Sequence, residues 1–598
     1  MKREITRRDF LAGAAAAALA GETHAVPSSD AAELLSEFAY GAVELTGGPL
    51  KEQYDRIHAA YLALDNDRLL SVYRERAGLP APGAPMGGWY GRDGFVPGHS
   101  LGQYISGLAR IGATTGDAAC TAKVTELVSG FAATLGQKDQ CFAGPNAENV
   151  WPCYILDKHL AGLIDAYNLS GVGQARELLP RVFRGALPYI PERGHDRIGK
   201  KDPPYDETYV LPESLFLAHE LTGDRAFYDR ANAYLLDREF FDPLAAGRDV
   251  LPGRHAYSHV IALSSAGKAR LVLGDDKYLR AMINASDLLK TSQQYATGGW
   301  GPNETFIEPH EGKLFDSLST TVDHFETPCG SYAGIKLARY LLCATGDARY
   351  GDGLERVLFN GTLAVKEPDS DGDYPYYSTY GAQAQKAYYP KKWPCCSGTL
   401  VEGVADYVKN IYFRANHGIA VVLYAPSRAK WIESGTPVTL TQETSFPLSD
   451  TVHLRISCTA PVTFALQLRI PAWAASKPAS TINGEPAGFE VRRGFAMVNR
   501  RWSNGDTLTL ELPQAFRTEP IDDAHPETAA LLRGPLVYVE RNPSPNPLVD
   551  PNLPKPDALR GADEIPGTYM TQSGGRKRYY VPFYSIHDET YTMYGERS

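Results

Sequence analysis

The first two thirds of the chain carry a helical pattern of apolar residues. Ile335, Ala338, Leu341 and Leu342, for example, recur at intervals of three and four residues, which places them on one face of a helix. Runs of this kind end at Gly-Asp pairs, in which glycine can terminate one helix and aspartate can cap the next. The pairs are Gly116-Asp117, Gly223-Asp224, Gly274-Asp275 and Gly346-Asp347, with Gly171-Val172 as a degenerate member.

The glycines of these pairs recur about every fifty residues from Gly116 to Gly274, which is the length of one helical hairpin with its connections. Five or six such hairpins predict an α/α toroid, an (α/α)6 barrel, over residues 28–415. The interval from Gly274 to Gly346 is about twenty residues longer than the others, and it contains a Gly-rich loop and Glu326. Because long insertions in a regular array are usually functional, we expect chemistry there.

After about residue 415 the pattern changes to the alternation of β-strands. Apolar residues occupy every second position from Phe464 to Ile470 and from Leu508 to Leu512, and the Asn-Gly pairs at 483–484 and 504–505 are typical of hairpin turns. We therefore predict an all-β sandwich domain over residues 416–540. A Pro-rich stretch from Pro543 to Pro556 belongs to a last segment, residues 541–598, which we predict to be all-β or irregular.

Length and charge restrict the function classes. At 598 residues the chain is too long for a single hydrophobic core, which agrees with a multidomain protein. Its net charge of -10 at pH 7 is mild for this length, and no basic run that could follow a phosphate backbone occurs after the first eight residues. We therefore expect no nucleic acid partner.

The first residues have the features of an export signal. The run Thr6-Arg7-Arg8-Asp9-Phe10-Leu11 and the Ala-rich stretch after it predict a twin-arginine signal peptide, residues 1–27, that is cleaved. A short membrane anchor is the alternative, although the apolar run is shorter than the ~20 residues that span a bilayer. We expect a periplasmic or secreted protein with no membrane span after cleavage.

The cysteines are the most informative residues for chemistry. Eight cysteines at irregular spacing do not form the disulfide framework of a small secreted protein. Cys395 and Cys396 are adjacent, and because neighbours rarely form a strain-free disulfide, a shared ligand explains the pair better. With Cys329 and Glu326 upstream they offer thiolates and one carboxylate, which suit a tetrahedral Zn²⁺. The alternative is that these cysteines are buried small hydrophobes.

A toroid has a central concavity, and this chain supplies acidic and aromatic residues that suit a sugar there. Glu304 lies in a Gly-rich, Trp-containing loop where a carboxyl can be partly desolvated, as a general acid requires, although a solvated loop glutamate would look the same. His255 and His99 are compatible with hydroxyl binding or with a structural hydrogen bond. The aromatic candidates, each of which can be a core residue instead, are Trp89, Trp151, Trp300, Tyr376, Tyr377, Tyr380 and Trp393.

Longer motifs make the picture more specific. They are TGGWGPNETF (297–306), ETPCGSY (326–332), CC (395–396), LRGPLVY (532–538), GHSLGQY (98–104), YILDK (154–158), AGLIDAY (161–167) and IPAW (470–473). Together these motifs resemble glycoside hydrolase family 127, the β-L-arabinofuranosidase family, and its relative family 146. The resemblance covers most of the chain after the signal, and it is specific as a set although no single motif is.

The resemblance implies a catalytic α/α barrel followed by β-sandwich domains, and a retaining mechanism with a zinc-bound cysteine as nucleophile. Carried over residue by residue, Cys395 would attack the anomeric carbon and Glu304 would be the acid and base. Glu326, Cys329, Cys395 and Cys396 would hold the zinc, which removes the thiol proton and fixes the sulfur. Glu304 would protonate the leaving oxygen and later deprotonate water, so that stereochemistry is retained.

The chain departs from the family pattern at three positions. Pro328 lengthens the usual Glu-x-Cys spacing to Glu-x-x-Cys and could change how Glu326 meets the metal. Asp157 and Gln103 stand where histidines are usual, and they suggest altered contacts to the sugar in subsite -1. The predicted substrate-binding residues are His255, Asp157, His99, Trp300 and Tyr380.

The sequence therefore predicts a retaining exo-glycoside hydrolase that releases β-L-arabinofuranose or a related sugar from plant-type glycans. One alternative is an α/α-toroid polysaccharide lyase or unsaturated-uronide hydrolase, which would have no use for Cys395. A non-catalytic glycan-binding protein is the other alternative, and the intact set of zinc and acid/base residues argues against it.

Overall fold

The computed structural model describes residues 34–144, 151–198, 206–544, 552–562, 566–573 and 575–597. The predicted signal peptide, residues 1–27, lies outside these ranges. Within the described part of the chain, no helix has the length and the apolar character needed to cross a membrane.

Helices make up the first two thirds of the described chain. In chain order α1 to α15 are Gly48–Ala63, Asn66–Ala77, Leu101–Thr115, Ala118–Thr134, Pro152–Ser170, Gly173–Ala186, Pro212–Thr222, Arg225–Tyr234, Asp242–Ala245, Ala256–Leu273, Lys277–Leu288, Lys313–Thr320, Thr327–Thr345, Arg349–Val357 and Cys396–Ala405. Short 3-10 or π-helical turns are Thr208–Val210, Asp237–Phe241, Leu289–Gln293, Pro302–Glu304, Leu358–Thr362, Asp406–Asn410, Pro556–Ala558 and Phe583–Ser585.

Six of these helices form a closed inner ring. They are α3, α5, α7, α10, α13 and α15, of which all but α7 are buried along most of their length, while α7 buries 5 of its 11 residues. Each packs against the next, and α15 packs back against α3, which closes the ring. Most of the remaining helices, such as α4, α6 and α14, bury one face against this ring and expose the other, as amphipathic outer helices do. The predicted α/α toroid is therefore confirmed.

The Gly-Asp turns lie at one end of the ring. The five glycines Gly116, Gly171, Gly223, Gly274 and Gly346 follow α3, α5, α7, α10 and α13 in the left-handed conformation, where a side chain would be strained. Each turn leads from an inner helix to an outer one. The connections that return to the inner helices lie at the opposite end, and most of them are much longer.

Two sheets form a sandwich after the toroid. The first has strand order β1-β5-β6-β10-β14-β13 and the second β12-β11-β15-β9-β8-β7-β2. The strands are β1 (Ser36–Glu37), β2 (Val43–Leu45), β5 (Tyr412–Ala415), β6 (Gly418–Val421), β7 (Ser427–Glu433), β8 (Thr436–Thr444), β9 (Thr451–Cys458), β10 (Val462–Arg469), β11 (Ala479–Ile482), β12 (Glu485–Pro486), β13 (Glu490–Arg492), β14 (Phe495–Trp502) and β15 (Thr507–Glu511). Asn483-Gly484 lies in the hairpin turn between β11 and β12, as predicted, whereas Asn504-Gly505 lies in a turn that leads from β14 of the first sheet to β15 of the second.

The segment before α1 belongs to this sandwich. β1 pairs with β5 and β2 with β7, so that Ser36 lies opposite Arg414 and Val43 opposite Ala429. The described part of the chain thus starts in the sandwich at β1, continues through the toroid and returns to the sandwich at β5. These two pairings were not part of the sequence prediction.

A third sheet of eight strands packs beside the toroid. Its order is β16-β17-β18-β21-β20-β19, with β22 paired to β18 and β23 to β17. It draws strands from both sides of the predicted boundary between residues 540 and 541. They are β16 (Phe516–Pro520), β17 (Thr528–Arg533), β18 (Leu536–Arg541), β19 (Arg560–Gly561), β20 (Tyr569–Ser573), β21 (Arg576–Pro582), β22 (Tyr591–Thr592) and β23 (Tyr594–Glu596). A two-stranded sheet, β3 (Phe325–Glu326) and β4 (Tyr377–Ser378), lies within the toroid.

Candidate active site

The candidate site lies where the inner helices begin. Glu326 and Cys329 flank the start of α13, and Cys395 and Cys396 lie at the start of α15. His255 caps the N-terminus of α10. The backbone N–H groups of helix starts favour negative charge, so this end of the ring suits thiolates and carboxylates.

Four side chains form a compact buried cluster there. The Sγ of Cys329 lies 3.3 Å from that of Cys396 and 3.6 Å from that of Cys395. The Cys395 and Cys396 sulfurs are 3.9 Å apart, and Cys395 Sγ lies 3.4 Å from Glu326 Oε1. The four ligand atoms all lie within 4.8 Å of one another. The residues predicted to bind metal are thus brought together.

The cluster fits a tetrahedral zinc ion. The three cysteines are free, as expected for the adjacent pair. Three sulfurs on one tetrahedral zinc are separated by roughly 3.8 Å, because Zn–S bonds are about 2.3 Å long. Glu326 Oε2 is buried and finds no hydrogen-bond partner among the described residues, and a cation would satisfy it.

The thiols of the cluster differ in acidity. Burial opposes the ionisation of Cys395, but hydrogen bonds from Cys329, Cys396 and Tyr376 outweigh it and hold the pKa of Cys395 well below its usual range. Burial raises the pKa values of Cys329 and Cys396, and nearby Cys395 raises them further. Burial raises the pKa of Glu326 as well, and the nearby negative charges of Cys395 and Glu304 raise it further. The protein alone therefore favours the thiolate of Cys395, and a bound cation would favour the anionic forms of the other three ligands.

Glu304 stands on a strained turn. Asn303 and Glu304 both have left-handed backbone angles, with φ of 55° and 60°. Each such residue costs on the order of 1–3 kcal/mol, and the cost is sustained because neighbouring groups hold the turn. The Asn303 N–H donates to the carbonyl of Asp323 at 2.7 Å, and Thr321 Oγ1 donates to Asn303 Oδ1 at 2.8 Å. Strain of this kind is typical of a functional position.

Two neighbours orient the Glu304 carboxylate. The hydroxyl of Tyr377 donates to Oε1. Burial and this carboxylate raise the pKa of Tyr377 well above its usual range, so the hydroxyl keeps its proton. His255 Nε2 lies 3.5 Å from Oε2, while His255 Nδ1 accepts from the N–H of Ser258. The helix cap therefore uses Nδ1, and Nε2 is the nitrogen that faces Glu304.

Glu304, Glu326 and Cys395 line one cavity of about 1000 Å³. Its volume lies at the upper end of the range for small-molecule sites. Four of the predicted aromatic residues, Trp89, Trp151, Tyr376 and Tyr377, contribute to its walls, and His255 does as well. Phe95 at the rim is half-exposed and contacts Trp89 and Trp151 edge to face. The cavity therefore combines ionisable groups at its base with aromatic walls.

Sequence reasoning missed several residues of this cavity. Glu207 Oε1 lies 3.5 Å from His255 Nδ1 and 2.6 Å from Arg197 Nη1. Arg197 also lies over the ring of Trp151. Tyr154, Tyr257 and Tyr389 complete the wall. Most of these residues lie just before an inner helix or in its first turn, which is the signal that could have identified them.

Four predicted substrate-binding residues do not line this cavity. Trp300 and Tyr380 are buried, with Trp300 against Phe325 and the Tyr380 hydroxyl 2.7 Å from Thr297 Oγ1. His99 is fully buried, and its Nδ1 lies 2.8 Å from the carbonyl of Val96. Asp157 faces a separate internal cavity. Its carboxylate pairs with Lys158 at 2.9 Å and accepts from Ser214 at 2.6 Å.

The three departures from the family pattern have local explanations. Pro328 lies in the first turn of α13, where proline is tolerated, and Glu326 still meets the cysteines. Gln103 does not face the cavity. Its Nε2 donates to Glu402 at 2.9 Å and to Thr399 Oγ1 at 3.4 Å. Like Asp157, Gln103 therefore lies behind the cavity wall, and the expected altered contacts to sugar at these two positions find no support.

Comparison with known proteins gives consistent matches. A family model described as "Beta-L-arabinofuranosidase, GH127 catalytic domain" matches residues 42–409, and the model of the GH127 middle domain matches residues 418–514. A curated relative from Bifidobacterium longum subsp. longum, "Non-reducing end beta-L-arabinofuranosidase", is 27% identical over 375 residues. That match covers 57% of this chain and 54% of the relative, so the chain spans about half of that protein.

Solved structures show the same fold. A GH127 beta-L-arabinofuranosidase from Geobacillus stearothermophilus T6 superimposes with a TM-score of 0.72 at 18% identity, covering 93% of this chain and 100% of the other. A second GH127 beta-arabinofuranosidase gives a TM-score of 0.73 at 18% identity and covers 95% and 98%. At this identity the structural likeness concerns the fold alone.

Proposed function

Because the chain belongs to the GH127 family of β-L-arabinofuranosidases, we propose that it is a retaining exo-glycoside hydrolase with Cys395 as nucleophile and Glu304 as acid and base. The proposed substrate is a plant-type glycan that ends in β-L-arabinofuranose or a related sugar. One observation supports this most. Cys395, which belongs to a buried four-residue cluster that could hold a metal ion, lines the same cavity as Glu304.

Zinc is the proposed cofactor. Glu326, Cys329, Cys395 and Cys396 would hold it, since three sulfurs and one carboxylate oxygen match its preferred donors. When bound, zinc supplies the positive charge that keeps buried thiolates ionised. The protein also stabilises the Cys395 thiolate itself, through the hydrogen-bond donors around its sulfur.

The reaction needs two steps from these residues. Glu304 first gives its proton to the glycosidic oxygen while the Cys395 sulfur attacks the anomeric carbon, so the C–O bond breaks and a C–S bond forms. Glu304 then takes a proton from water, whose oxygen attacks the same carbon and returns the electron pair to sulfur. Two inversions at one carbon retain its configuration.

Neighbouring residues prepare both groups. Tyr377 and His255 hold the Glu304 carboxylate from either side, and Tyr376 donates to Cys395. The sugar ring would therefore lie between Cys395 and Glu304. The aromatic wall formed by Trp89 and its neighbours offers apolar faces to the rest of the substrate.

The direct test is turnover on a panel of aryl glycosides. The panel contains β-L-arabinofuranoside, its α-anomer, β-L-arabinopyranoside and β-D-galactofuranoside, and the protein is reduced and zinc-loaded. We expect the β-L-arabinofuranoside or a stereochemically related furanoside to be cleaved, with the sugar first released as the same anomer in NMR. Release of the opposite anomer would contradict retention. Tight binding of glycans without turnover would favour a glycan-binding protein.

Metal analysis tests the cofactor separately. The Cys396→Ser variant should contain one equivalent of zinc less than the unaltered protein, because the substitution removes a proposed ligand of the cluster. The control is Cys343→Ser, which changes a cysteine outside the cluster. Equal zinc in all three proteins would contradict the assignment.

We also propose export by the twin-arginine route. The support is the run Arg7-Arg8-Asp9-Phe10-Leu11 and the apolar stretch after it. Cell fractionation should find the unaltered protein outside the cytoplasm and the Arg7→Lys/Arg8→Lys variant inside it. Equal export of both would contradict this route.

A further inference from the structure

A second cluster of metal-ligand side chains lies away from the active-site cavity. His58 lies in α1, Asp117 caps α4 and Cys120 lies in the first turn of α4. His58 Nε2 is 3.0 Å from Asp117 Oδ2 and 3.3 Å from Cys120 Sγ. The three ligand atoms all lie within 4.8 Å of one another.

In either tautomer of His58, hydrogen bonding within this group leaves one favourable interaction unmade. Asp117 Oδ1 already accepts from the N–H of Ala119 at 2.9 Å, which leaves Oδ2 for another partner. His58 Nε2 faces both Asp117 and Cys120. If Nε2 carries a proton, it can donate to the carboxylate but cannot accept from the thiol. If Nε2 carries no proton, it can accept a hydrogen bond from the Cys120 thiol, but its lone pair then faces a lone pair of Asp117 Oδ2. A cation between the three atoms would satisfy all of them.

The cysteine side chain is placed by its neighbours. Cys120 is completely buried, and a Cβ on Gly112 of α3 would come within 2.9 Å of Cys120 Cβ. The lack of a side chain at Gly112 thus lets Cys120 pack at this position.

The other Gly-Asp turns serve as internal controls. Asp224 and Asp347 accept backbone N–H groups as Asp117 does. Asp275 does the same with the N–H of Lys277. Within the described ranges, none of these three turns gathers a histidine and a cysteine around the aspartate. Capping alone therefore does not require the set found at Asp117.

We infer that His58, Asp117 and Cys120 form a second metal site, which binds Zn²⁺ and ties α1 to the start of α4. Nitrogen, sulfur and one carboxylate oxygen are donors that zinc prefers over Mg²⁺ or Ca²⁺. The side chains of His58 and Asp117 are 19% and 31% exposed, so water can complete the coordination and the ion can exchange. The site shares no residue with the active-site cavity, and the inference does not rest on the proposed function.

The test is metal analysis of the untagged, reduced chain after equilibration with zinc and removal of the free ion. We expect His58→Ala and Cys120→Ser each to hold one equivalent of zinc less than the unaltered protein. The matched control is His219→Ala. His219 lies at the equivalent turn, where its Nδ1 is 3.0 Å from the backbone oxygen of Asp224, and no cysteine joins it. This control should hold as much zinc as the unaltered protein.

Asp117→Asn gives a version of the test that preserves folding. Asparagine caps a helix as well as aspartate does, but its neutral amide is a poor zinc ligand. It should therefore also lose one equivalent, while the rate on the best aryl glycoside stays within about twofold, because the cluster lies outside the cavity. After loading with Co²⁺, the Cys120→Ser variant should show weaker sulfur-to-cobalt absorption than the unaltered protein.

The outcomes separate this site from the catalytic cluster. If the catalytic cluster held no zinc, the unaltered chain would hold one equivalent and Cys120→Ser none, which would still support the second site. Equal zinc content in the unaltered protein, His58→Ala, Cys120→Ser and Asp117→Asn would overturn it.

Discussion

Cys395 differs from the other cysteines in the direction of its pKa shift. Burial raises the thiol pKa values of the other seven, which are Cys120, Cys141, Cys153, Cys329, Cys343, Cys396 and Cys458. Cys395 is also buried, but three donors and the start of α15 surround its sulfur. Local geometry therefore distinguishes Cys395, the proposed nucleophile, from seven chemically identical side chains.

The first prediction concerns this sulfur. Cys395→Ala should lower the rate on the best aryl glycoside by at least about 10³-fold, because the nucleophile is lost. Cys395→Ser should be nearly as slow, since a hydroxyl is far harder to ionise. Steady-state kinetics checks this, with Cys343→Ser as the control that keeps its rate. Rates like those of the unaltered protein in either Cys395 variant would remove Cys395 from the mechanism.

At the scale of elements, Thr399 at the start of α15 connects the buried cysteine cluster to helix α3. Thr399 lies one turn after Cys395, and its hydroxyl oxygen is 3.1 Å from Cys329 Sγ. Gln103 on α3 donates to the same oxygen and to Glu402. Outer groups of this kind orient metal ligands and tune their affinity.

The second prediction tests this link. Thr399→Val keeps the shape of the side chain but removes the hydroxyl, so zinc affinity at the cluster should fall by about 10- to 100-fold. Thr399→Ser keeps the hydroxyl and should stay close to the unaltered protein. Competition with a chelator of known affinity measures both. Equal affinity of the valine and serine variants would show that the hydroxyl does not act on Cys329.

Many of the helix ends and the composition of the buried cluster could be predicted from the sequence. Helix ends such as Gly116 are local signals, because glycine lacks a Cβ and adopts the left-handed conformation without strain. The grouping of Glu326, Cys329, Cys395 and Cys396 was predictable, because residue type and spacing along the chain indicated it. Trp300 and Tyr380 were not, since motif position does not tell whether a side chain faces the cavity or the core. Glu207 was missed because it lies far along the chain from Glu304 and meets it only through His255.

At the scale of the whole molecule, a buried ionic group joins the toroid to the sandwich. The predicted alternation of β10 turns Arg469 away from the apolar face, and the structure buries it completely. Its guanidinium contacts Glu355 and, at 2.6 Å, Asp352, both on α14. Trp473 Nε1 also donates to Glu355 at 2.7 Å. The sequence predicted both domains, but it could not predict this contact, because about a hundred residues separate its partners.

The third prediction concerns this junction. Arg469→Ala leaves Glu355 buried without its charged partner, so the protein should lose about 3–5 kcal/mol of stability. Adding Glu355→Gln should restore part of the loss. Chemical denaturation of the folded chain measures the change. Arg428→Ala, which breaks an exposed ion pair with Glu44, serves as the control and should cost less than about 1 kcal/mol. Equal losses for Arg469→Ala and Arg428→Ala would contradict a structural role for the buried group.

The most direct test of the proposed chemistry uses Glu304→Gln, which removes both the acid and the base. The rate on substrates with poor leaving groups should fall most, because they need protonation. With an activated aryl glycoside the first step should proceed, and the glycosyl-enzyme should accumulate because no base activates water. A Cys395→Ala/Glu304→Gln variant is the control and should form no adduct.

The deciding measurement is the intact mass of Glu304→Gln after mixing with the activated substrate, followed by peptide mapping. We expect one added pentosyl group, carried by the Cys395 sulfur. An adduct on a carboxylate instead, or equal rate losses for good and poor leaving groups, would contradict it.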